Sequence, residues 1–296
     1  MDLSTFIISV FCLIDDRLEG RRIRRRGPSP KLSDAEVLAI ELVGEFLGMD
    51  TDEAIFRYFR EHYGEWFPAL REVHRTTSFA RQSANPWKVK ESNWQELLSS
   101  APHDPTFALR DSMPSFATAC LFARAYRCRR FRGEAAFGKD TLLKQTFYGF
   151  RVHARVCWPA GVITRLSLAP ANAHELRVLP ELPESISGLI VEDRNYHSPK
   201  TKEELSRMGV ELLAPYSPKK LDPNPKRSAF LSRLRYRIDT VFSQLTGRYS
   251  IKRVWARDIW HLMSRLPRKV LSHTVAFLLN HQLGNRPLQL SKLLVQ

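Results

Sequence analysis

The sequence has no apolar run as long as the roughly eighteen residues that a membrane-spanning helix needs. An apolar stretch near the start, residues 6–14, is only nine residues long. Asp2 stands where a signal peptide carries basic residues. We therefore interpret residues 1–18 as a buried helix, and we expect a cytoplasmic protein with no membrane partner.

Cysteine is also scarce, with four residues and no CxxC pair. This spacing gives no disulfide framework and no structural zinc site, so we predict reduced thiols. Acids are outnumbered, 31 against 46 lysines and arginines, which leaves a net charge of +15. Such a balance favours a polyanionic partner, because each neutralised phosphate releases condensed counterions.

The positive charge is concentrated in one segment. Residues 216–270 carry fourteen lysines and arginines and three acids, a net +11. Clustering of this kind favours nucleic acid as the partner, with the cations from Lys219 to Lys269 holding the DNA backbone. A solvated basic surface is the alternative that composition leaves open.

Residues 1–104 are predicted to form a helical N-terminal DNA-binding region. Ser33 and Glu36 make a capping box before an apolar run, and Gly48 ends that helix. Asp50 and Glu53 begin a second helix, and residues 87–98 form another. Short helices of this kind suit either a helix-turn-helix DNA reader or an ordinary bundle. The basic run 21–26 is either a phosphate-binding arm or a solvated loop.

From residue 105 the pattern changes to an α/β domain that we extend to residue 280, followed by a tail over 281–296. A short strand over 107–110 ends at Asp111. Alternating residues predict a hairpin of two strands, and a buried apolar strand, a helix and a further strand follow. These elements are predicted over 146–157, 162–168, 188–191, 201–208 and 210–214, with an amphipathic helix after Pro225. The expected fold is a mixed sheet flanked by helices.

Three acids stand out by position. Asp111 and Asp193 each follow a predicted strand, and Asp239 lies in the amphipathic helix. Catalytic groups of α/β sheets gather beyond the carboxyl ends of strands, and clustered carboxylates need bound cations to offset their repulsion. Each acid also has a structural interpretation: a strand-end aspartate often caps a turn, and Asp239 can pair with Arg235.

Five short motifs occur in order along the chain. They are Asp111-Ser112-Met113-Pro114, Phe147-Tyr148-Gly149-Phe150-Arg151-Val152-His153, Ala169-Pro170-Ala171-Asn172-Ala173-His174-Glu175, Val191-Glu192-Asp193-Arg194-Asn195-Tyr196 and Arg237-Ile238-Asp239-Thr240-Val241-Phe242-Ser243. Together they resemble the insertion-sequence DDE transposases, most closely the IS nine-eight-two family, over nearly the whole chain. The resemblance also includes Lys31-Leu32-Ser33-Asp34-Ala35-Glu36-Val37.

The resemblance implies a ribonuclease H-like domain, a bacterial, nucleoid-associated enzyme and a homodimer on double-stranded DNA. It implies that Asp111, Asp193 and Asp239 hold two Mg²⁺ or Mn²⁺ ions for strand cleavage and strand transfer. Oxygen ligands suit these hard cations. The expected DNA contacts are Lys144, His153, Arg235, Lys252 and Arg253. Structural alternatives are a core histidine at His153 and a solvated lysine at Lys144, and Trp255 and Trp260 are expected in the core.

Two departures from the family leave rival functions open. Asn195 stands where such transposases have glycine, and Asp239 stands where they have glutamate. Aspartate is one methylene shorter than glutamate, so on an unchanged backbone its carboxylate lies about 1.3 Å further from the metal. A misplacement near 1 Å can cost about 10²-fold in rate. One rival is therefore a transposase-derived protein that binds DNA without cutting it. Another is a ribonuclease H-like nuclease that cuts junctions or RNA hybrids.

Overall fold

The computed structural model describes residues 1–18, 31–72, 113–122, 131–140, 144–158, 161–173, 188–191, 203–204, 206–207, 209–213 and 225–294. The chain divides into two compact units. The helical unit combines Met1–Leu97 with Leu245–Gln296, and the sheet unit is Leu98–Gln244. The predicted helix 87–98, the basic run 21–26 and the boundary at residue 104 lie outside the described residues.

The helical unit is built from helices whose apolar faces pack on one another. Its elements are α1 (Leu3–Leu18), α2 (Asp34–Phe46), α3 (Asp52–His62), α4 (Ala69–Glu72), α6 (Ile259–Gln282) and a 3₁₀ turn (Leu290–Lys292). The buried helix predicted at the start is confirmed, because α1 buries Phe6, Ile7, Val10 and Ile14. No helix in the described part of the chain is both long enough and apolar enough to cross a membrane.

The start and end of α2 follow the sequence signals. Ser33 accepts a hydrogen bond from the Glu36 backbone, and the Glu36 side chain accepts one from the Ser33 backbone, so the capping box is confirmed. Gly48 adopts a φ of +81° just beyond the last turn, a conformation that glycine takes at no steric cost. The next helix begins differently from the prediction, because Thr51 rather than Asp50 caps α3.

Almost every residue of α2 is buried, including three acids, of which Glu41 and Glu45 are at most 1% exposed. Arg268 of α6 donates to Glu45 at 2.6 Å and to Glu41 at 3.0 Å. Lys269 donates to the second oxygen of Glu45 at 2.6 Å. These four side chains are at most 3% exposed. Isolated buried charges would be prohibitive, so each depends on its partners.

The same cluster includes α3. Asp52 accepts hydrogen bonds from Arg268 at 2.9 Å and from Arg265 at 2.8 Å. Burial alone would raise the pKa of Asp52, but the two guanidinium groups outweigh it and lower that pKa to about 2. Three cations thus face three acids, and the charge cluster formed by Glu41, Glu45, Asp52, Arg265, Arg268 and Lys269 is neutral.

The sheet unit contains a six-stranded mixed sheet. Its strands are β1 (Met113–Phe122), β2 (Ala136–Asp140), β3 (Gln145–Trp158), β4 (Val162–Pro170), β5 (Gly188–Val191) and β6 (Val210–Leu213). β3 pairs antiparallel with β1, β2 and β4, whereas β5 lies parallel to both β1 and β6. Antiparallel strands followed by parallel ones form a ribonuclease H-like sheet, which confirms the predicted fold class.

The predicted hairpin, the two strands that follow it and the helix after Pro225 are confirmed with small changes in their bounds. β1 and β2 were not predicted. Pro114 and the small residues of β1 give a weak strand signal, and Gly138 interrupts β2. A Cβ atom at Gly138 would lie 2.6 Å from the Ala171 carbonyl oxygen, so close packing requires glycine there.

The last helix of the sheet unit, α5 (Pro225–Gly247), follows the predicted apolar stripe. Leu231, Ile238, Val241 and Leu245 are all buried. Leu231 packs against Leu213 of β6 and Phe230 of its own helix. This stripe fixes the rotation of the helix and therefore the directions of its polar residues.

The C-terminal residues depart from the expected tail. Leu290 and Leu293 are buried, and the amino group of Met1 donates to the Leu293 carbonyl oxygen at 2.9 Å. The contacts also group residues from Leu245 onward with the N-terminal helices rather than with the sheet. The end of the chain is thus part of the helical unit.

Candidate active site

Asp239 is the one member of the predicted acid triad within the described residues. Its side chain is 68% exposed, and the closest ion-pair distance is 3.8 Å, from Arg235 Nε to Asp239 Oδ2. The pairing foreseen as a structural alternative therefore exists, but it is long and open to solvent. Exposed i,i+4 pairs contribute about 0.3–0.5 kcal/mol. Such a weak pair leaves the carboxylate available for a ligand.

Asp111 and Asp193 lie outside the described residues, as does the strand predicted over 107–110. The described strand β1 starts after Asp111, at Met113. β5 ends at Val191, two residues before Asp193 in the sequence, and Val191 lies beside Ser115 in the parallel pair. The convergence of the three acids remains a prediction.

The fit of a divalent cation can be examined only at Asp239. An exposed carboxylate with one distant cationic neighbour is the kind of oxygen ligand that Mg²⁺ and Mn²⁺ accept. No three His, Cys, Asp or Glu side chains cluster as a metal site among the described residues, which do not include Asp111 and Asp193.

His153 lies in β3 and is fully buried. Burial, and to a smaller extent the charge of Arg151, lower the pKa of His153 to about 4, so the ring is neutral at physiological pH. This is the environment of a core histidine, the structural alternative foreseen from the sequence. A direct contact between His153 and DNA stays a prediction, and the burial of the ring weighs against it.

Two other predicted DNA contacts are exposed. Lys144 precedes β3 with a φ of 51°, a left-handed conformation that is uncommon outside glycine. Arg235 is 61% exposed on α5. Exposure permits a phosphate contact at either residue, and both assignments remain predictions.

Part of the basic segment cannot bind the DNA backbone as predicted. Arg268 and Lys269 are 3% and 2% exposed and belong to the charge cluster, and Arg265 pairs with Asp52. Of the other predicted contacts, Arg253 is exposed and Lys252 is half-buried in the loop after α5. The cations available to a polyanion are therefore fewer than the sequence suggests.

The prediction that Trp255 and Trp260 lie in the core was wrong. Trp255 is 45% exposed and Trp260 is 40% exposed, and Met263 is 38% exposed one turn further along α6. Tryptophan usually buries most of its large surface, so two half-exposed rings five residues apart call for an explanation.

Sequence signals for two of these findings exist. Glu41 and Glu45 lie four residues apart in an otherwise apolar helix, a pattern that indicates buried acids in need of cationic partners. Trp255 and Trp260 lie among Lys252, Arg253 and Arg257, and aromatic residues interleaved with cations are typical of nucleic-acid surfaces.

Comparison with known proteins adds family evidence to this geometry. The family model "Transposase DDE domain" matches residues 108–258, a range that includes Asp111, Asp193 and Asp239. No curated protein sequence matches the chain. A solved piggyBac transposase synaptic complex with hairpin DNA is similar in structure at 10% sequence identity and a TM-score of 0.47, over 98% of this chain and 76% of that chain. A score this low does not establish a common fold by itself. The family match, in contrast, spans just over half of the sequence, and the chain therefore belongs to the family of transposases with a DDE domain.

Proposed function

We propose that this transposase catalyses metal-dependent DNA strand cleavage and strand transfer of an insertion sequence. The observation that carries the proposal is the family match over residues 108–258, which contains all three predicted acids. The more specific resemblance to the IS nine-eight-two family belongs to the same proposal. Its partners are double-stranded DNA at the element ends and at the target, bound by a homodimer.

In this proposal Asp111, Asp193 and Asp239 would hold two Mg²⁺ or Mn²⁺ ions. Bound ions of this kind stabilise the charge that develops on the entering and leaving oxygens of a phosphodiester. The carboxylates of the chain would position that chemistry. The cations Lys144, Arg235, Lys252 and Arg253 would hold the DNA backbone in register.

The exposure of Asp239 supports its assignment. The buried stripe of α5 fixes the rotation of this helix, so the direction of the Asp239 side chain is set by the core rather than by its ion pair. A glutamate at this position would point the same way with a longer reach. We therefore expect Asp239→Glu to keep or raise cleavage if the backbone has not moved inward to suit aspartate.

The second candidate is a transposase-derived DNA-binding protein that no longer cuts. It is favoured by aspartate at position 239, where the family resemblance implies glutamate. The third is a nuclease that recognises DNA junctions or RNA hybrids by structure. All three would bind nucleic acid, so cleavage specificity separates them.

The test is strand nicking of supercoiled plasmid in Mg²⁺ or Mn²⁺. One plasmid carries the inverted repeats that flank the reading frame, and a matched plasmid lacks them. The proposal expects nicking at the repeat ends and no comparable nicking of the control. Binding without nicking by wild type and Asp239→Glu would favour the DNA-binding relative. Cleavage of junctions regardless of the repeats would favour the structure-specific nuclease.

A further inference from the structure

The loop between α5 and α6 and the first turn of α6 present an exposed surface of mixed character. We call it the aromatic–basic surface, and it consists of Lys252, Arg253, Trp255, Arg257, Trp260 and Met263. Three of the large hydrophobic side chains that are at least 38% exposed lie within nine residues here. Exposed apolar side chains gathered in one segment mark interaction sites more often than scattered ones do.

The charge of this surface is positive. Lys252, Arg253 and Arg257 face one acid, Asp258, in the same segment. Asp258 is already engaged, because it accepts hydrogen bonds from the His261 backbone at 2.9 Å and from the His261 ring at 2.8 Å. Burial tends to raise the pKa of Asp258, but these bonds and Arg257 outweigh it and lower that pKa. The acid therefore caps α6, and one acid against three cations leaves the segment with a net positive charge.

The Trp260 ring is held in place by the start of α6. Trp260 packs edge-on against the His261 ring with centroids 4.8 Å apart, and Arg257 lies 3.4 Å from His261 Nε2. Trp260 and Met263 are three residues apart on the helix, so they share one face. The Cα atoms of Trp255 and Trp260 are no more than about 18 Å apart, because five residues of extended chain reach no further. A separation within this limit suits a few consecutive nucleotides.

We propose that the aromatic–basic surface binds unpaired nucleotides of single-stranded DNA, with Trp255 and Trp260 stacking on the bases. Paired bases in a duplex are already stacked on one another, whereas unpaired bases offer a free face to an aromatic ring. The cations would follow the phosphates of the same strand. The inference rests on the proposed function in that DNA is the partner, but it assigns a substrate form that the proposed function does not specify.

Trp66 provides a matched comparison within the helical unit. It is 45% exposed, as Trp255 is, and it lies in a different segment, after α3. Acids and cations are mixed in that segment, with Glu61 and Glu65 between Arg60 and Arg71. Trp66 is therefore the control for the loss of an exposed indole ring outside the aromatic–basic surface.

The experiment compares the affinity of the full chain for a mixed-sequence single strand and for a blunt duplex of the same sequence, in EDTA so that no cleavage occurs. We expect Trp255→Ala and Trp260→Ala each to weaken single-strand binding roughly five- to hundredfold, the value of one lost stack. The affinity of these two variants for the duplex should change less than about twofold. Trp66→Ala should change neither the single-strand affinity nor the duplex affinity. Phenylalanine at either position should restore most of the single-strand binding, because it keeps an aromatic ring. Such a rescue would show that a folding defect does not cause the loss in the alanine variants.

Salt gives a second readout. Stacking releases no counterions, so the loss in the tryptophan variants should be the same at low and high salt, whereas Arg257→Gln should lose its effect as salt rises. Single-strand affinity that is unchanged by the tryptophan substitutions, or an equal loss for duplex and single strand, overturns the inference. So does a change in oligomeric state without a change in single-strand affinity, which would make the surface an interface between copies.

The two proposals fail in different ways. Wild type that binds duplex but not single-stranded DNA refutes this inference and leaves the proposed function intact. Wild type that binds neither form refutes both.

Discussion

Two sets of ion pairs, one from each unit of the molecule, use charged side chains in opposite ways. In the helical unit Arg268, Lys269, Glu41 and Glu45 are at most 3% exposed and neutralise one another. In the described part of the sheet unit, the ion pairs Glu203–Arg207 and Arg235–Asp239 have side chains 61–74% exposed. Buried pairs fix the packing of helices, whereas exposed pairs are weak and remain open to solvent and ligands. The location of a charge therefore indicates its role better than its position in a basic segment does.

The largest expected effect comes from breaking the charge cluster. Arg268→Met removes the cation that joins Glu41, Glu45 and Asp52, and it should lower the free energy of unfolding by about 3–5 kcal/mol, because buried acids remain without their partner. Urea unfolding followed by circular dichroism measures this change. The control is Arg57→Ala, which breaks an exposed pair and should cost at most about 1 kcal/mol. Equal losses in the two variants would refute the structural role of the cluster.

The next effect is on the pH dependence of stability, and it is expected in both units. Burial lowers the pKa of His273 in the helical unit to about 4, and His153 in the sheet unit is shifted to the same value. An unfolded histidine titrates near pH 6.5, so the unfolded state binds more protons below that pH. The stability from each neutral ring is complete above about pH 6.5 and is lost as pH falls toward 4, by up to about 3 kcal/mol.

Denaturant unfolding between pH 7.5 and 4 measures this dependence in wild type, His153→Gln and His273→Gln. Each substitution should flatten the decline between pH 6.5 and 4, even if it also lowers stability at neutral pH. A decline that is equally steep in wild type and in both variants would show that other groups cause it.

A smaller effect is expected on DNA affinity. Lys252→Ala and Arg253→Ala should each weaken duplex binding. Each should also reduce by about 1 the magnitude of the slope of log K against log salt concentration, where K is the DNA association constant. If about six phosphates are contacted, the wild-type slope is near −5. Fluorescence anisotropy at several salt concentrations gives the slope, with Arg57→Ala as the control that should not alter it. A wild-type affinity that is flat with salt would argue against phosphate contacts altogether.

The sequence predicts the elements whose signals are local. The hairpin of β3 and β4, the strand β5, and the capping box at Ser33 and Glu36 each depend on residues close together in the chain. The buried stripe of α5 follows from the helical period alone. These predictions needed no knowledge of distant contacts.

The missed features depend on partners far away in the sequence. Arg268 is buried because Glu45, 223 residues earlier, lies within hydrogen-bond distance, and no local pattern in α6 reveals this. Gly138 is tolerated in β2 because Ala171 packs against it. The exposure of Trp255 and Trp260 likewise depends on which helices cover α6. For the candidate site, the sequence motifs predict the three acids, and Asp239 is the one whose surroundings the structure describes.

The measurement that most directly tests the central claim is DNA nicking by Asp239→Ala. Glu203→Ala is the matched control, because Glu203 is an equally exposed acid, 67% against 68%, in an i,i+4 pair of the same unit. The free energy of unfolding of both variants should lie within about 0.5 kcal/mol of the wild-type value, as is usual for substitutions at exposed positions. We predict that Asp239→Ala abolishes metal-dependent nicking of plasmids with the element ends, whereas Glu203→Ala nicks at the wild-type rate. Wild-type nicking by Asp239→Ala would contradict the account and remove this carboxylate from the active site.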